Sequence, residues 1–231
     1  MRRSVLVACG LLTAFVFSTS LRADDPPGFR PIFDGKSLEG WKGNTEIWSV
    51  KDGAITATVA AGQLKYNTFL IWQGGDVADF EFTCKYKMVG NNSGIQYRSK
   101  VLDAEKFILS GYQADIDATL KYSGINYEEK ARGILAERGQ RVTIGADGKK
   151  SVEAIGDATE LGSKIRKEDW NDYRIVAKGN RLQHYINDTL MSEVIDEQSE
   201  NAAKSGVLGL QAHVGPAMTV QFKELKLKAL K

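Results

Sequence analysis

The sequence predicts an all-β protein built as a sandwich of two antiparallel sheets. Three observations carry that expectation. Apolar and polar residues alternate over many short runs, turn-forming pairs recur between those runs at spacings of about 8–12 residues, and no stretch sustains a helical period. The 231 residues can bury a sizeable core and suit a large sandwich better than a small immunoglobulin-like one.

The chain opens with Arg2 and Arg3, an apolar run over 5–17 and then small residues. This is the pattern of a secretory signal peptide over 1–23, and the run is too short to span a membrane. A periplasmic or secreted destination follows. Loss of Cys9 with the signal would leave Cys84 alone, so no intrachain disulfide is expected and the core must carry stability. Residues 24–231 read as a single domain. Its formal net charge of +2 for the whole sequence, with no basic run, gives no electrostatic case for nucleic acid.

Within the domain, GFRPIFDGKSLEGWKG mixes apolar residues with glycines and a proline and is expected along a sheet edge. Asp52-Gly53 separates two alternating runs, a strong hairpin signal. A strand is expected within 64–73, and 80–88 is the clearest alternating strand, with Cys84 on its apolar face as a buried structural thiol. Two further strands are expected within 91–117. Residues 122–144 are charge-rich and read as a long insertion. Asp147-Gly148 turns the chain into a short strand at 152–155, and 165–170 could form one helical turn. Strands at 173–178 and 182–186 are joined by Gly179-Asn180, followed by a turn at Asn187-Asp188. A polar loop over 196–205 precedes final strands at 206–213 and 218–227.

Successive side chains on a strand face opposite ways. Strict alternation therefore places Gln96 and Arg98 with Gln113, Asp115 and Asp117 on one face, and adds Gln211 and His213 from the penultimate strand. That is a polar floor suited to a hydroxyl-rich ligand. Asp115 and Asp117 could be paired acids of a glycosidase, although the Glu-x-Asp-x-Glu string of sandwich glucanases is missing. His184, between Leu182 and Ile186, reads as core packing. Arg132, with Tyr127 nearby in the insertion, could cap a ligand, against the alternative that Glu128, Glu129 and their neighbours are simply solvated. Trp41, Trp48 and Trp170 read as packing residues, while Trp72, beside Gly74-Gly75, is the candidate for stacking on a sugar ring. No metalloprotease, phosphate-loop or dinucleotide fingerprint occurs, so no organic cofactor is expected.

Taken in order, GFRPIFDGKSLEGWKG, DFEFTCKYKM, NNSGIQYRS, GYQADI, RGILAERG, WNDYRIVAKGNRLQHYIND and GVLGLQAHVG resemble the 3-keto-disaccharide hydrolase family. Departures are small: Ala212 stands where an acidic residue often precedes the histidine, and Asp188 replaces a hairpin glycine. The resemblance implies a concanavalin A-like jelly-roll whose concave face binds an oxidised 3-keto sugar, with a sugar 3-dehydrogenase acting upstream. It also implies cleavage by removal of the C2 proton and β-elimination, followed by hydration. Under that reading His213 or Asp115 is the base, and Arg98 or Arg132 stabilises the enolate. Gln96, Gln113 and Gln211 hold hydroxyls, helped by Asp117, Tyr127 and Trp72. Asp115, Asp117 and His213 could instead bind a divalent metal ion. A non-catalytic carbohydrate-binding module and a conventional glycoside hydrolase are the competing readings.

Overall fold

The computed structural model describes residues 27–231, so the expected signal peptide and Cys9 lie outside the described residues. The chain runs β1 (Arg30–Pro31), β2 (Trp41–Lys42), β3 (Trp48–Lys51), β4 (Ala54–Val59), β5 (Thr68–Trp72) and β6 (Phe80–Val89). It continues with β7 (Asn92–Asp103), β8 (Ile108–Asp117), β9 (Asn126–Glu129), β10 (Gly133–Ala136), β11 (Gln140–Ile144) and β12 (Lys150–Ala154). A short helix α1 (Ala158–Gly162) follows, then β13 (Asn171–Lys178), β14 (Arg181–Ile186), β15 (Thr189–Asp196), β16 (Val207–Ala212) and β17 (Met218–Ala229).

These strands form two facing sheets. The ten-stranded sheet has the order β12-β11-β15-β14-β13-β6-β17-β4-β3, with β1 against β17; the seven-stranded sheet has the order β10-β9-β8-β7-β16-β5-β2. All pairings are antiparallel except β11 with β15, which is parallel. The single parallel pair arises because the chain crosses from the edge of one sheet at β10 to the other at β11.

Between the sheets lies an apolar core drawn from the alternate residues of both. From the ten-stranded sheet come Phe80, Phe82, Val220 and Phe222; from the other come Ile95 and Leu210. Cys84 is buried and unpaired, and burial pushes its thiol far above the ordinary range, as expected of a structural residue. Trp41 and Trp48 are core, whereas Trp170 packs at the surface against the Lys87 and Lys223 ammoniums. At Asp52-Gly53 and Asn187-Asp188 both central residues have positive φ, the conformation of a type I′ two-residue hairpin.

Three expectations need correction. The segment 122–144 contains β9, β10 and β11 rather than a long loop. In β9 the inward positions are polar, Asn126 and Glu128, so apolar alternation is missing there although the strand is present; β10 and β11 put Leu135, Val142 and Ile144 into the core. The helical turn is at Ala158–Gly162, capped by Asp157, whose carboxylate accepts from the amides of Thr159 and Glu160, and not at 165–170. Finally, the polar loop expected over 196–205 starts one residue later, because Asp196 closes β15 and is buried.

His184 sits in the core as expected. Its Nδ1 lies 3.1 Å from the Ile125 carbonyl, which can only accept, so Nδ1 carries the proton. Nε2 then accepts from the Tyr97 hydroxyl at 2.9 Å, and Asn126 Nδ2 donates to the same hydroxyl oxygen at 3.1 Å. Burial pushes the imidazole down from 6.5 to about 4. Between those values the unfolded chain binds the proton and the folded chain does not. The site's contribution is therefore complete above pH 6.5 and is lost as pH falls toward 4. Comparing urea unfolding of the parent with His184→Gln across that window, the parent's relative stability should rise by about 3 kcal/mol from the acid to the neutral end. A difference that stays constant with pH would exclude His184 as the source.

Candidate functional site

On the outer face of the seven-stranded sheet, three glutamines lie side by side on adjacent strands. Gln96 of β7 is the cross-strand neighbour of Gln113 of β8, and Gln211 comes from β16 on the other side of β7. Their amides form a directed chain. The Ser99 hydroxyl donates to Gln96 Oε1 at 2.5 Å, Gln96 Nε2 donates to Gln113 Oε1 at 3.2 Å, and Gln113 Nε2 donates to Asp115 Oδ1 at 2.6 Å. Asn92 Nδ2 donates to the other Asp115 oxygen at 3.2 Å. Gly94 makes room for this: a Cβ there would lie 2.6 Å from Gln113 Cδ. Gln211 Oε1 lies 3.5 Å from Gln113 Nε2, while Gln211 Nε2 is a buried donor with no partner.

Asp115 ends this chain at 6% exposure, with two amide donors and no cation. Burial pushes its carboxyl up from 3.8 to about 7; the bonds from Gln113 and Asn92 oppose that rise, and the charges of Asp117 and Glu129 add to it. A carboxyl poised near neutrality in a buried polar setting is suited to taking and returning a proton.

His213 follows β16 and is half-buried. Its Nδ1 lies 2.6 Å from the Val214 carbonyl, so Nδ1 carries the proton, and Nε2 has no hydrogen-bond partner among the described residues. The surrounding turn is fixed from two sides. Asn91 Nδ2 reaches the carbonyls of His213, Val214 and Pro216, and Asn67 Oδ1 accepts from the Val214 amide at 3.0 Å. Tyr127 is the cross-strand neighbour of Gln113. Burial and the Glu129 and Asp115 carboxylates raise its phenol, keeping it protonated.

Four expected residues are turned elsewhere. Strict alternation fails at Arg98, which has φ +47 and sits in a bulge of β7. Its guanidinium donates to the carbonyls of Ala78, Gly179 and Ala203 and pairs with Asp79 at 2.8 Å, so it is a clamp between loops. Arg132 is held by Glu128 and by Asp196 (2.6 Å to Oδ2), which also accepts from the Tyr112 hydroxyl. Asp117 folds back on its own turn, accepting from the Thr119 amide and hydroxyl and the Tyr122 amide. No group of three or more His, Cys, Asp or Glu able to hold a metal ion occurs among the described residues, so Asp115, Asp117 and His213 do not assemble as a cation site. Trp72 is core. Gly74 lies against its ring and the Arg30 guanidinium sits 5.3 Å from its centroid, which leaves the indole no face for a sugar. Its edge reaches a separate apolar groove of about 250 Å³ shared with Ile71, Val101 and Phe107.

Sequence reasoning missed Asn92, Asn67 and Glu129. Glu128 and Glu129 are both buried rather than solvated, and they point to opposite faces of β9. A family model described as a 3-keto-alpha-glucoside-1,2-lyase-like domain matches residues 28–228. No curated protein sequence matches. Among solved structures, a candidate glycosyl hydrolase from Parabacteroides distasonis has TM-score 0.59 at 19% identity, over 87% of this chain and 99% of that one. The carbohydrate-binding module CBM66 from Bacillus subtilis has TM-score 0.54 at 16% identity, over 82% and 96%. A Bacillus subtilis protein of unknown function with a galectin-like fold has TM-score 0.54 at 8% identity, over 83% and 90%. These likenesses establish the jelly-roll sandwich.

The raised Asp115 carboxyl has a thermodynamic signature. Between pH 3.8 and about 7 the folded state holds a proton that the unfolded state has released, so this group's contribution is present below 3.8 and is lost as pH rises through 7. Asp115→Asn cannot titrate. Its stability relative to the parent should therefore increase by up to about 4 kcal/mol from pH 4 to 8, measured by urea unfolding. A difference independent of pH would mean that the folded carboxyl titrates normally.

Proposed function

The chain belongs to the 3-keto-alpha-glucoside-1,2-lyase-like domain family, and we propose that it is a carbohydrate-active enzyme cleaving the glycosidic bond of 3-keto-glycosides or 3-keto-disaccharides by elimination. The observation that carries this reading is Asp115, a buried carboxyl raised to about 7 at the end of an oriented amide chain. A ketone at C3 acidifies the hydrogen at C2, so one base of moderate strength suffices. The two-acid arrangement of a conventional glycosidase is not needed.

Asp115 takes the C2 proton, and the C2–H electrons form the C2=C3 bond while the C3 oxygen becomes an enolate. Gln211 Nε2, buried and without a partner, donates to that oxygen. Collapse of the enolate restores the ketone, forms C1=C2 and expels the glycosidic oxygen. That oxygen takes a proton from the Tyr127 phenol, and Tyr127 recovers one from Asp115, directly or through a water. The products are the enone sugar and the free alcohol. Water added across C1=C2, with hydroxyl to C1 and hydrogen to C2, makes the net change a hydrolysis. Gln96 and Gln113 orient Asp115, and His213 offers the lone pair of Nε2 to a hydroxyl at the rim. The secretory pattern of residues 1–23 supports a periplasmic or secreted setting, in which a sugar 3-dehydrogenase would supply the ketone.

The test is incubation of the purified protein with a matched glucoside and 3-keto-glucoside. Release of alcohol from the ketone alone is expected. Equal release from both would indicate a conventional glycosidase, and binding without release a binding module. Asp115→Asn should lower turnover of the 3-keto-glucoside by roughly a hundredfold or more, and Gln211→Met by roughly a hundredfold. Near-normal turnover in Asp115→Asn would remove it as the base.

A further inference from the structure

Glu128 and Glu129 are consecutive, yet they meet opposite fates. Glu128 points between the sheets and is saturated by Arg132, which bonds both of its oxygens. Glu129 points to the outer face, opposite Gly111, which presents no side chain. It is 7% exposed, has one hydrogen bond, from Asn67 Nδ2 to Oε1 at 3.2 Å, and no ion pair among the described residues. A carboxylate has about four acceptor positions, so most of the acceptor capacity of Glu129 is unused within the protein. Its Oε2 is not among the fully buried atoms without a partner, so it remains open to a donor arriving from outside.

The position of its one partner is informative. Asn67 immediately precedes β5, and β8, β7 and β16 lie between β9 and β5 in the sheet. Flat strands in that order would hold Glu129 and Asn67 on the order of 19 Å apart. They are in hydrogen-bond contact because the start of β8 folds over the outer face toward β5: the Phe69 amide donates to the Phe107 carbonyl, the Thr68 hydroxyl to the Lys106 carbonyl, and Leu109 packs with Phe69 and Ile71. The same Asn67 holds the Val214 amide beside His213. A ligand on this face would have the glutamines and Asp115 as its floor and Glu129 with Asn67 as a wall. Gln211 Nε2 is an unpaired donor on the floor, and Glu129 supplies unpaired acceptor positions on the wall.

We propose that Glu129 is a further substrate-binding residue, whose carboxylate accepts a hydrogen bond from a sugar hydroxyl on the side of the ring away from the glutamine floor, with Asn67 positioning it. This rests on the elimination reading above and extends it by giving the site a second wall. A hydroxyl has the donor that Glu129 lacks, and it fits a place where a cation would also have to be desolvated.

The experiment compares the full chain with Glu129→Gln on methyl 3-keto-α-glucoside and on its 4-deoxy and 6-deoxy analogues. Glu129→Gln should raise KM roughly tenfold to a hundredfold, the range for a hydrogen bond to a charged group, with kcat changed by less than about threefold. One deoxy analogue should show the same loss with the parent protein and no further loss with the variant. An unchanged KM, or equal sensitivity of all three substrates to the substitution, would overturn the proposal. Asn67→Ala should move KM in the same direction, which guards against an unfolded Glu129 variant. If the parent cleaves no 3-keto-glucoside, the elimination reading fails on its own. Calorimetric binding of methyl α-glucoside then decides Glu129: weakened binding in the variant supports it, and unchanged binding, or none in the parent, overturns it.

Discussion

One extra residue in β7 governs the site. The bulge at Arg98 and Ser99 reverses the facing of the strand, and two things follow at once. Arg98 leaves the outer face and ties Ala78, Gly179 and Ala203 together, joining the connections of the ten-stranded sheet to the middle of the other. Ser99 turns its hydroxyl back onto Gln96, and that single donation dictates the amide orientations beyond it. Once Gln96 accepts from Ser99, its NH₂ must face Gln113, and the NH₂ of Gln113 must face Asp115. The bulge needs space on both flanks. A Cβ at Gly206 would lie 2.5 Å from the Ser99 carbonyl oxygen, and one at Gly111 would lie 2.5 Å from Ser99 Oγ.

The space between the sheets and the outer face of the seven-stranded sheet use the same side-chain chemistry differently. Between the sheets, His184 is bonded by Ile125 and Tyr97, and Glu128 and Asp196 by Arg132, although Asn126 Oδ1 is buried there without a partner. On the outer face Gln211 Nε2 is likewise buried and unpaired. It shares that face with the half-buried Tyr127 and His213, whose hydroxyl and Nε2 have no partner among the described residues, and with Glu129, which has one. Buried polar groups in native folds are normally paired; what sets the outer face apart is that its unpaired donor lies among groups that still have capacity to bond a ligand. His184 and Asp115 add a further contrast, since burial moves the first down and the second up; over mildly acidic pH their contributions to stability run in opposite directions.

Much of this was legible in the sequence. Alternation over β6, the Asp52-Gly53 turn and the glutamines at 96, 113 and 211 were readable because each depends on local periodicity. Arg98 was misread because a bulge adds one residue with no signature of its own; the glycines that accommodate it are distant in sequence. Asp117 carried a signal that was passed over, since an aspartate two residues before a threonine commonly bonds its own turn. Glu129 was hidden in a charge-rich segment where nothing distinguishes a buried carboxylate from a solvated one until the strand is known. Trp72 was judged by its glycine neighbours, and Gly74 is there to pack against its ring.

The glycines under the site have an evolutionary consequence. Gly94 is shaped by Gln113, Gly111 by Ser99, and Gly209 by Leu109, whose Cδ1 would lie 2.8 Å from a Cβ there. Each pair behaves as a mould and its cast, drawn from different strands. While its partner is fixed the glycine cannot gain a side chain, so a lineage that puts one there must change the partner as well. At Gly111 an added Cβ would also lie 2.7 Å from the Ser99 Cα, which no side-chain change relieves, so covariation among relatives should be concentrated in the Gly94–Gln113 and Gly209–Leu109 pairs.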